Sequence, residues 1–263
     1  MFFEPVSCKA TIDVASLDEN RMDLTPTHQP IDAHQPIELT RETIQAGTVI
    51  KLASAHGMRV LSDEERATSI AETLAARPKS ADPSGDLWLF GYGSLIWNPA
   101  FHFAEQRKGR VHGWHRRFCL WTPLGRGSPE QPGLVLALER GGACTGMAFR
   151  LAAEQVACEL DILWRREMLS GAYKPRWVKV TTTEGPVDAV TFTIDPANPR
   201  YAGRLAEDEI VRVVATAVGR LGPCTDYLFK TANALAELGL EDKVLRRLKR
   251  RVEVLIGGKV DCP

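Results

Sequence analysis

No stretch of this sequence stays apolar for the roughly 20 residues that a membrane-crossing helix takes, so no bilayer is expected as a partner. Net charge is missing too. Lys and Arg number 33, Asp and Glu number 33, and the balance of +0 supplies no pull toward nucleic acid or an anionic membrane surface. The six cysteines (Cys8, Cys119, Cys144, Cys158, Cys224 and Cys262) form no CxxC pair, and no Cys/His cluster has zinc-finger spacing. Scattered single thiols of this kind read as reduced cysteines in a cytoplasmic protein, with no metal site. Met1-Phe2-Phe3-Glu4-Pro5 lacks a basic stretch followed by an apolar one, so no secretory signal is expected.

What is present is an ordinary globular composition. Hydrophobic residues at 44% and charged residues at 25% over 263 residues suit one sizeable domain with an extension, and such a chain buries a large core without staples. The charge is uneven. Residues 1–85 hold 8 basic and 13 acidic side chains, which leaves the remainder five charges positive, a bias that suits a small anionic substrate.

The chain divides near residue 85. Residues 1–45 carry little periodicity and scatter Pro26, Pro30 and Pro36 among polar side chains, the pattern of a loose leader. Ser62-Asp63-Glu64-Glu65 has capping-box spacing and opens a helix at about 63–77. Residues 78–85 are a linker by composition. From residue 87 strands are expected at Leu87–Tyr92, Val111–Thr122, Leu134–Glu139, Ala143–Arg150, Arg176–Thr183 and Val187–Ile194. Arg140-Gly141-Gly142 reads as a hairpin turn. A helix is expected at Ala152–Ser170, ended by Gly171, and three more at Ala206–Gly219, Thr225–Leu238 and Glu241–Val254. Strands followed mostly by helices argue an α+β fold, and short strands at this spacing suit a small closed barrel.

Two features carry chemistry. In Phe90-Gly91-Tyr92-Gly93-Ser94-Leu95 an apolar strand breaks into glycines and small polar groups, where successive backbone N–H groups can cradle an anion. No Gly-Lys-Ser/Thr follows, so a P-loop is excluded, and Ser94 lacks the glycine at +2 of a nucleophile elbow. The second feature is Glu167. Val156, Leu160, Leu163 and Trp164 mark one helical face, and the next turn of that stripe lands on Glu167. Loss of solvent and a position near a helix C-terminus both push a carboxylate's pKa up, toward the range useful for acid–base work. The bland alternative is a structural glutamate paired to an arginine.

Other features are weaker. His112 and His115 stand three apart on a strand and face opposite ways. Trp114-His115-Arg116-Arg117-Phe118 splits into a core face and a solvated face more readily than it binds nucleic acid. Arg126, in a loop bounded by Pro129, Pro132 and Gly133, is placed to grip a carboxylate. Tyr201 and Tyr227 sit beside chain breakers, where tyrosines usually serve the core; Tyr201 is kept as a substrate-binding candidate.

Taken in order, several motifs resemble the ChaC family of γ-glutamylcyclotransferases. They are Phe90 to Trp97, Gly113 to Phe118, Arg126-Gly127-Ser128 through Pro132-Gly133, Arg166 to Tyr173, Asn198 to Gly203, and Tyr227-Leu228 with Leu238-Gly239-Leu240 and Asp242. The resemblance covers about residues 86–255 and leaves residues 1–85 outside. It implies a small mixed β-barrel flanked by helices, a catalytic domain at 86–263, and a cofactor-free reaction that cleaves glutathione to 5-oxoproline and Cys-Gly. Glu167 matches the family's catalytic glutamate, and Tyr92, Gly93, Ser94 and Leu95 match its substrate-cradling turn, which would hold either the α-carboxylate or the developing oxyanion. Arg126 is the candidate for the glycine-end carboxylate. Alternatives are cyclotransfer on other γ-glutamyl amino acids or amines, or a non-catalytic regulator of cation transport. A partner for the extension is unknown.

Overall fold

The structure, a computed structural model, describes residues 36–81 and 83–258. Three helices come first: α1 Arg41–Gln45, α2 Thr48–Ala55 and α3 Asp63–Ala75. Strands β1 Leu87–Gly91, β2 Glu105–Thr122 and β3 Gly133–Leu151 follow, then helix α4 Val156–Glu167 and strands β4 Tyr173–Thr182 and β5 Gly185–Ile194. Helix α5 Glu207–Thr216 leads through the two-residue strands β6 Val218–Gly219 and β7 Gly222–Pro223 into α6 Cys224–Glu237 and α7 Lys243–Gly257.

Five strands close into a barrel in the order β1-β3-β2-β4-β5. The closing seam is parallel, with Trp88 opposite Ala189 and Leu89 opposite Val190 on β5, and the other long ladders are antiparallel. The barrel is therefore mixed, as the family resemblance implied. β1 is buried on both faces, which explains its unbroken apolar run. Trp88 and Phe90 enter the core shared with α5, α6 and α7, while Leu87 and Leu89 enter the core shared with α4. The turn after β1 thus leaves a strand that is held from both sides.

Gly141 and Gly142 do not make a hairpin. β3 runs straight through them, and both adopt left-handed φ, 106° and 65°. Gly113 on β2 does the same at 80°, where the register shifts between His112 and Trp114. These are bulges facing each other on two long paired strands, and they let the pair curl round the barrel. The same tolerance of positive φ serves turns and bulges alike, so local sequence cannot separate them. β2 also begins six residues early, at Glu105, because its polar first half is specified by pairing with β3 and, from Gly109, with β4. Arg116 and Phe118 are buried and His112 is exposed, so the aromatic-basic run does divide between core and surface.

The helix after Ser62 has the expected capping box. Ser62 Oγ accepts from the Glu65 amide at 3.0 Å and Glu65 Oε2 accepts from the Ser62 amide at 2.8 Å. α3 docks on the barrel side: Trp164 Nε1 donates to Ser69 Oγ (3.0 Å) and Trp177 Nε1 to the Thr73 carbonyl (2.7 Å). Of the leader read at 1–45, residues 1–35 lie outside the described residues. Residues 36–45 form a strap with a short capped helix, packed against α4.

Candidate active site

Glu167 is the last residue of α4. Leu160, Leu163 and Trp164, one and two turns earlier, are fully buried, and they aim the same face at the barrel end. The Glu167 side chain is 14% exposed and lines a cleft of about 690 Å³. Burial pushes its carboxyl above the ordinary range, and the Arg166 guanidinium, with Nε 2.9 Å from Oε1, pulls the other way. Helix α4 is shorter than Ala152–Ser170 at both ends, which puts Glu167 at the C-terminal end of the helix dipole rather than one turn inside it.

Arg166 ties this carboxylate to the turn after β1. Its side chain is 4% exposed; Nη1 donates to the Asn98 carbonyl (2.5 Å) and the Pro99 carbonyl (3.2 Å), and Nη2 donates to Ser94 Oγ (3.0 Å). Ser94 therefore works as a hydrogen-bond acceptor in the frame of the site. Arg165 turns away and pairs with Asp161, Nε to Oδ2 at 2.8 Å.

The turn itself is gripped from several directions. Tyr92 is buried, its hydroxyl donates to the Phe192 carbonyl (2.7 Å), and its own carbonyl accepts from Arg116 Nη1 (2.8 Å). Ser94–Ile96 forms a single 3₁₀ turn that sinks Leu95 into the core. Gly93 sits tightly: a Cβ there would stand 3.0 Å from the Tyr227 hydroxyl, which would have to give by a few tenths of an ångström. Tyr92, Gly93, Ser94 and Leu95, together with Glu167, Tyr173 and Tyr227, line an inner notch of about 20 Å³ at the floor of the cleft. Burial raises the pKa of all three tyrosines, so they stay neutral. Tyr173 donates to the Leu136 carbonyl (3.1 Å), while Tyr227 Oη accepts from the Leu136 amide (3.3 Å). Tyr227, read from sequence as core, and Tyr173, noted only as part of a motif, are walls of the notch.

Arg126 also reaches the cleft. It is 9% exposed, its loop is pinched where a Cβ on Gly127 would collide with the backbone of Gln131 to Gly133, and Nη1 donates to the Pro223 carbonyl at 3.3 Å. Tyr201 does not line the cleft. Its hydroxyl donates to Glu139, which raises its pKa to about 12, and it packs against the small cluster of Cys119, Leu120, Ala137, Ala172 and Ile194. The segment is extended where Tyr201 bridges Leu120 on β2, so adjacent side chains point to opposite sides and Arg200, not Tyr201, faces the cleft. Among the described residues no group of three or more His, Cys, Asp or Glu side chains is arranged to hold a metal ion.

Residues 87–255 match a family model described as ChaC-like protein. The chain belongs to that family. A protein of Escherichia coli (strain K12) named glutathione-specific gamma-glutamylcyclotransferase is 44% identical over 196 residues, which cover 74% of this chain and 83% of that protein. A Mus musculus protein named glutathione-specific gamma-glutamylcyclotransferase 1 is 35% identical over 178 residues, 64% of this chain and 80% of that protein. Among solved structures, a glutathione-specific γ-glutamylcyclotransferase from yeast superposes with a TM-score of 0.60 at 22% identity, covering 64% of this chain and 96% of that one, and shows the same fold.

The strap lies outside the stretch that the ChaC-like model matches, yet it walls the cleft through Ile37, Glu38 and Leu39. Four hydrogen bonds hold it. The Ile37 amide donates to the Arg220 carbonyl (2.7 Å), Asn98 Nδ2 donates to the Leu39 carbonyl (2.9 Å), and Arg41 meets Glu159 on α4 through two bonds of 2.6 and 2.9 Å. Glu159 is 3% exposed, so Arg41→Met strands a buried carboxylate to which, among the described residues, the His102 amide is the donor left. Breaking a buried pair costs about 3–5 kcal/mol, and the lower end applies because Arg41 keeps 22% exposure. The expected result is a lower Tm with faster hydrogen exchange at the Ile37 amide. Unchanged exchange there would show that the pair does not hold the strap.

Proposed function

We propose that this protein is a glutathione-specific γ-glutamylcyclotransferase, with residues 86–263 as its catalytic domain. The observation that carries the reading is one carboxylate, Glu167, buried beside Arg166 at the edge of a notch whose other side is the Tyr92–Leu95 turn, in a chain of the ChaC-like family.

The chemistry fits those parts. The substrate's α-amine attacks its own γ-carbonyl; a C–N bond forms to close the five-membered lactam, and the amide C–N bond to cysteine breaks. One proton must leave the ammonium before it can attack, and a second leaves that nitrogen as the lactam forms. The departing nitrogen takes up two and leaves as the ammonium of Cys-Gly, so the sum needs neither water nor a cofactor. A single carboxylate with a raised pKa relays protons in both directions, and Glu167 is the group so placed. The nucleophile belongs to the substrate, so the protein's task is positioning, which contributes several kcal/mol when the attacking atoms are held in line.

The notch, about 20 Å³, is the size of one oxygen-bearing group. It suits either an oxygen of the α-carboxylate or the oxyanion that develops on the γ-carbonyl, with the neutral tyrosines and the turn keeping water out. The glycine end of the tripeptide then extends into the wider cleft, where Arg126 stands. A cytoplasmic site of action goes with this reading, and Cys119, Cys144 and Cys224 are buried free thiols.

The test is direct. Purified protein given glutathione should release 5-oxoproline and Cys-Gly in equal amounts, and kcat/KM for γ-Glu-Ala should be at least about tenfold lower, the value of one good interaction with the missing part of the leaving group. Equal rates on both would replace glutathione specificity with a general γ-glutamyl amino acid activity.

A further inference from the structure

Buried or nearly buried arginines in this protein come with carboxylates. Arg166 has Glu167, Arg116 has Asp242 and Arg66 has Asp63. Two that face the cleft are exceptions. Arg126 and Arg200 form no ion pair among the described residues: the Asp226 carboxylate acts on Arg126 only from beyond ion-pair distance, burial lowers the pKa of each arginine, and neither can give up its charge. A guanidinium drawn out of water without a carboxylate in direct contact is costly, and the cost is recovered when a ligand brings one.

Their placement is built rather than incidental. Both are anchored at the last two residues of β2. Arg200 Nε donates to the Trp121 carbonyl (2.7 Å), the Trp121 amide donates to the Arg200 carbonyl (2.9 Å), and the Arg126 amide donates to Thr122 Oγ1 (3.4 Å). Arg200 Nη1 is fixed on Ser170 Oγ (2.6 Å), which leaves Nη2 with no protein acceptor among the described residues. Both arginines line the cleft that holds Glu167. Glu38 and Glu237 line it as well, but neither forms an ion pair with either arginine.

We infer that Arg200, together with Arg126, receives the terminal carboxylate of the departing peptide, so that the site selects γ-glutamyl peptides with a free C-terminal carboxylate over γ-glutamyl amides and amines. The inference rests on the cyclotransferase reading and deepens it. Glu167 and the turn act on the γ-glutamyl head; the two arginines act on the far end of the same molecule. A carboxylate accepts paired N–H donors from a guanidinium in a geometry that a neutral amide cannot match. The interaction is made before and during the reaction alike, so it belongs in KM rather than kcat.

The experiment compares glutathione with its C-terminal glycinamide, which differs only in that carboxylate. On the wild-type chain kcat/KM should favour glutathione by about 10- to 100-fold, the worth of a hydrogen bond to a charged group, with the difference in KM. In Arg200→Gln the ratio of the two kcat/KM values should fall by about tenfold. A merely structural role for Arg200, through Trp121 and Ser170, would lower both substrates together and leave the ratio where it was, which overturns the inference. So does a wild-type ratio near one, an outcome that needs no variant to fold. If 5-oxoproline comes from neither substrate, the cyclotransferase reading falls and takes the inference with it; a ratio near one with both turned over removes the inference alone.

Discussion

Glu167→Gln is expected to cut kcat for 5-oxoproline release by about 10³-fold or more, within the 10²- to 10⁴-fold range of a positioned acid–base group, with the melting curve still cooperative. The replacement has the same shape and keeps an oxygen to accept the Arg166 bond, now 2.9 Å, but it cannot carry a proton. Arg166 retains its bonds to Asn98, Pro99 and Ser94, so the turn keeps its frame. In the wild-type chain the proposed base must be ionised to accept a proton. Burial raises its pKa above the ordinary carboxylate value of 4.5, so the acid limb of kcat/KM should lie above that pH and rise as the group deprotonates. Activity of the Gln variant within tenfold of wild type would move the acid–base role to another group.

Asp242→Ala should give the largest loss of stability. Asp242 has two tasks at once. Its Oδ1 caps α7 by accepting from the Val244 and Leu245 amides (2.9 and 3.2 Å), and its Oδ2 lies 3.2 Å from Arg116 Nε, an ion pair without hydrogen-bond alignment. Arg116 is 3% exposed at its side chain, and it donates to the Tyr92 and Thr145 carbonyls. Removing Asp242 strands that charge and uncaps the helix. Stranding the charge alone costs about 3 kcal/mol, the lower end because Asp242 keeps 20% exposure, and the lost cap adds about 1. At about 2–4 °C per kcal/mol, Tm should fall by roughly 8–16 °C. Asp242→Asn keeps an oxygen for the cap and removes the charge, so it should fall between the two. The damage should also reach the site, because Arg116 carries the Tyr92 carbonyl; KM for glutathione should rise in both variants. A Tm for Asp242→Ala within about 2 °C of wild type, less than one kcal/mol, would show that neither task matters.

These two residues stand at opposite ends of what a reader of the sequence can see. Glu167 was legible because helical periodicity is local: Leu160, Leu163 and Trp164 define a face, and the next turn is fixed by 3.6 residues. The Ser62/Glu65 capping box was legible for the same reason. So was β1, whose run of apolar side chains from Leu87 to Phe90 already implies burial on both faces. Asp242 belonged to a recognisable motif, but its partner Arg116 is on the far side of the chain, and nothing local joins them.

The amino-acid order by itself determined the mixed α+β character, the turn after β1, the carboxylate at the end of α4 and the family. Only the tertiary structure decided that Gly141 and Gly142 bend a strand instead of turning it, because the choice depends on β2 lying alongside with its own bulge at Gly113. Only it decided that Arg200 faces the cleft and Tyr201 does not, since one residue of register against Leu120 exchanges them. And only it brought residues 36–45 to the cleft, through an Arg41–Glu159 pair that spans 118 positions of the chain. Periodicity and capping act over a few residues and are written in them; facing, register and ion pairing are set by whatever the rest of the chain brings alongside.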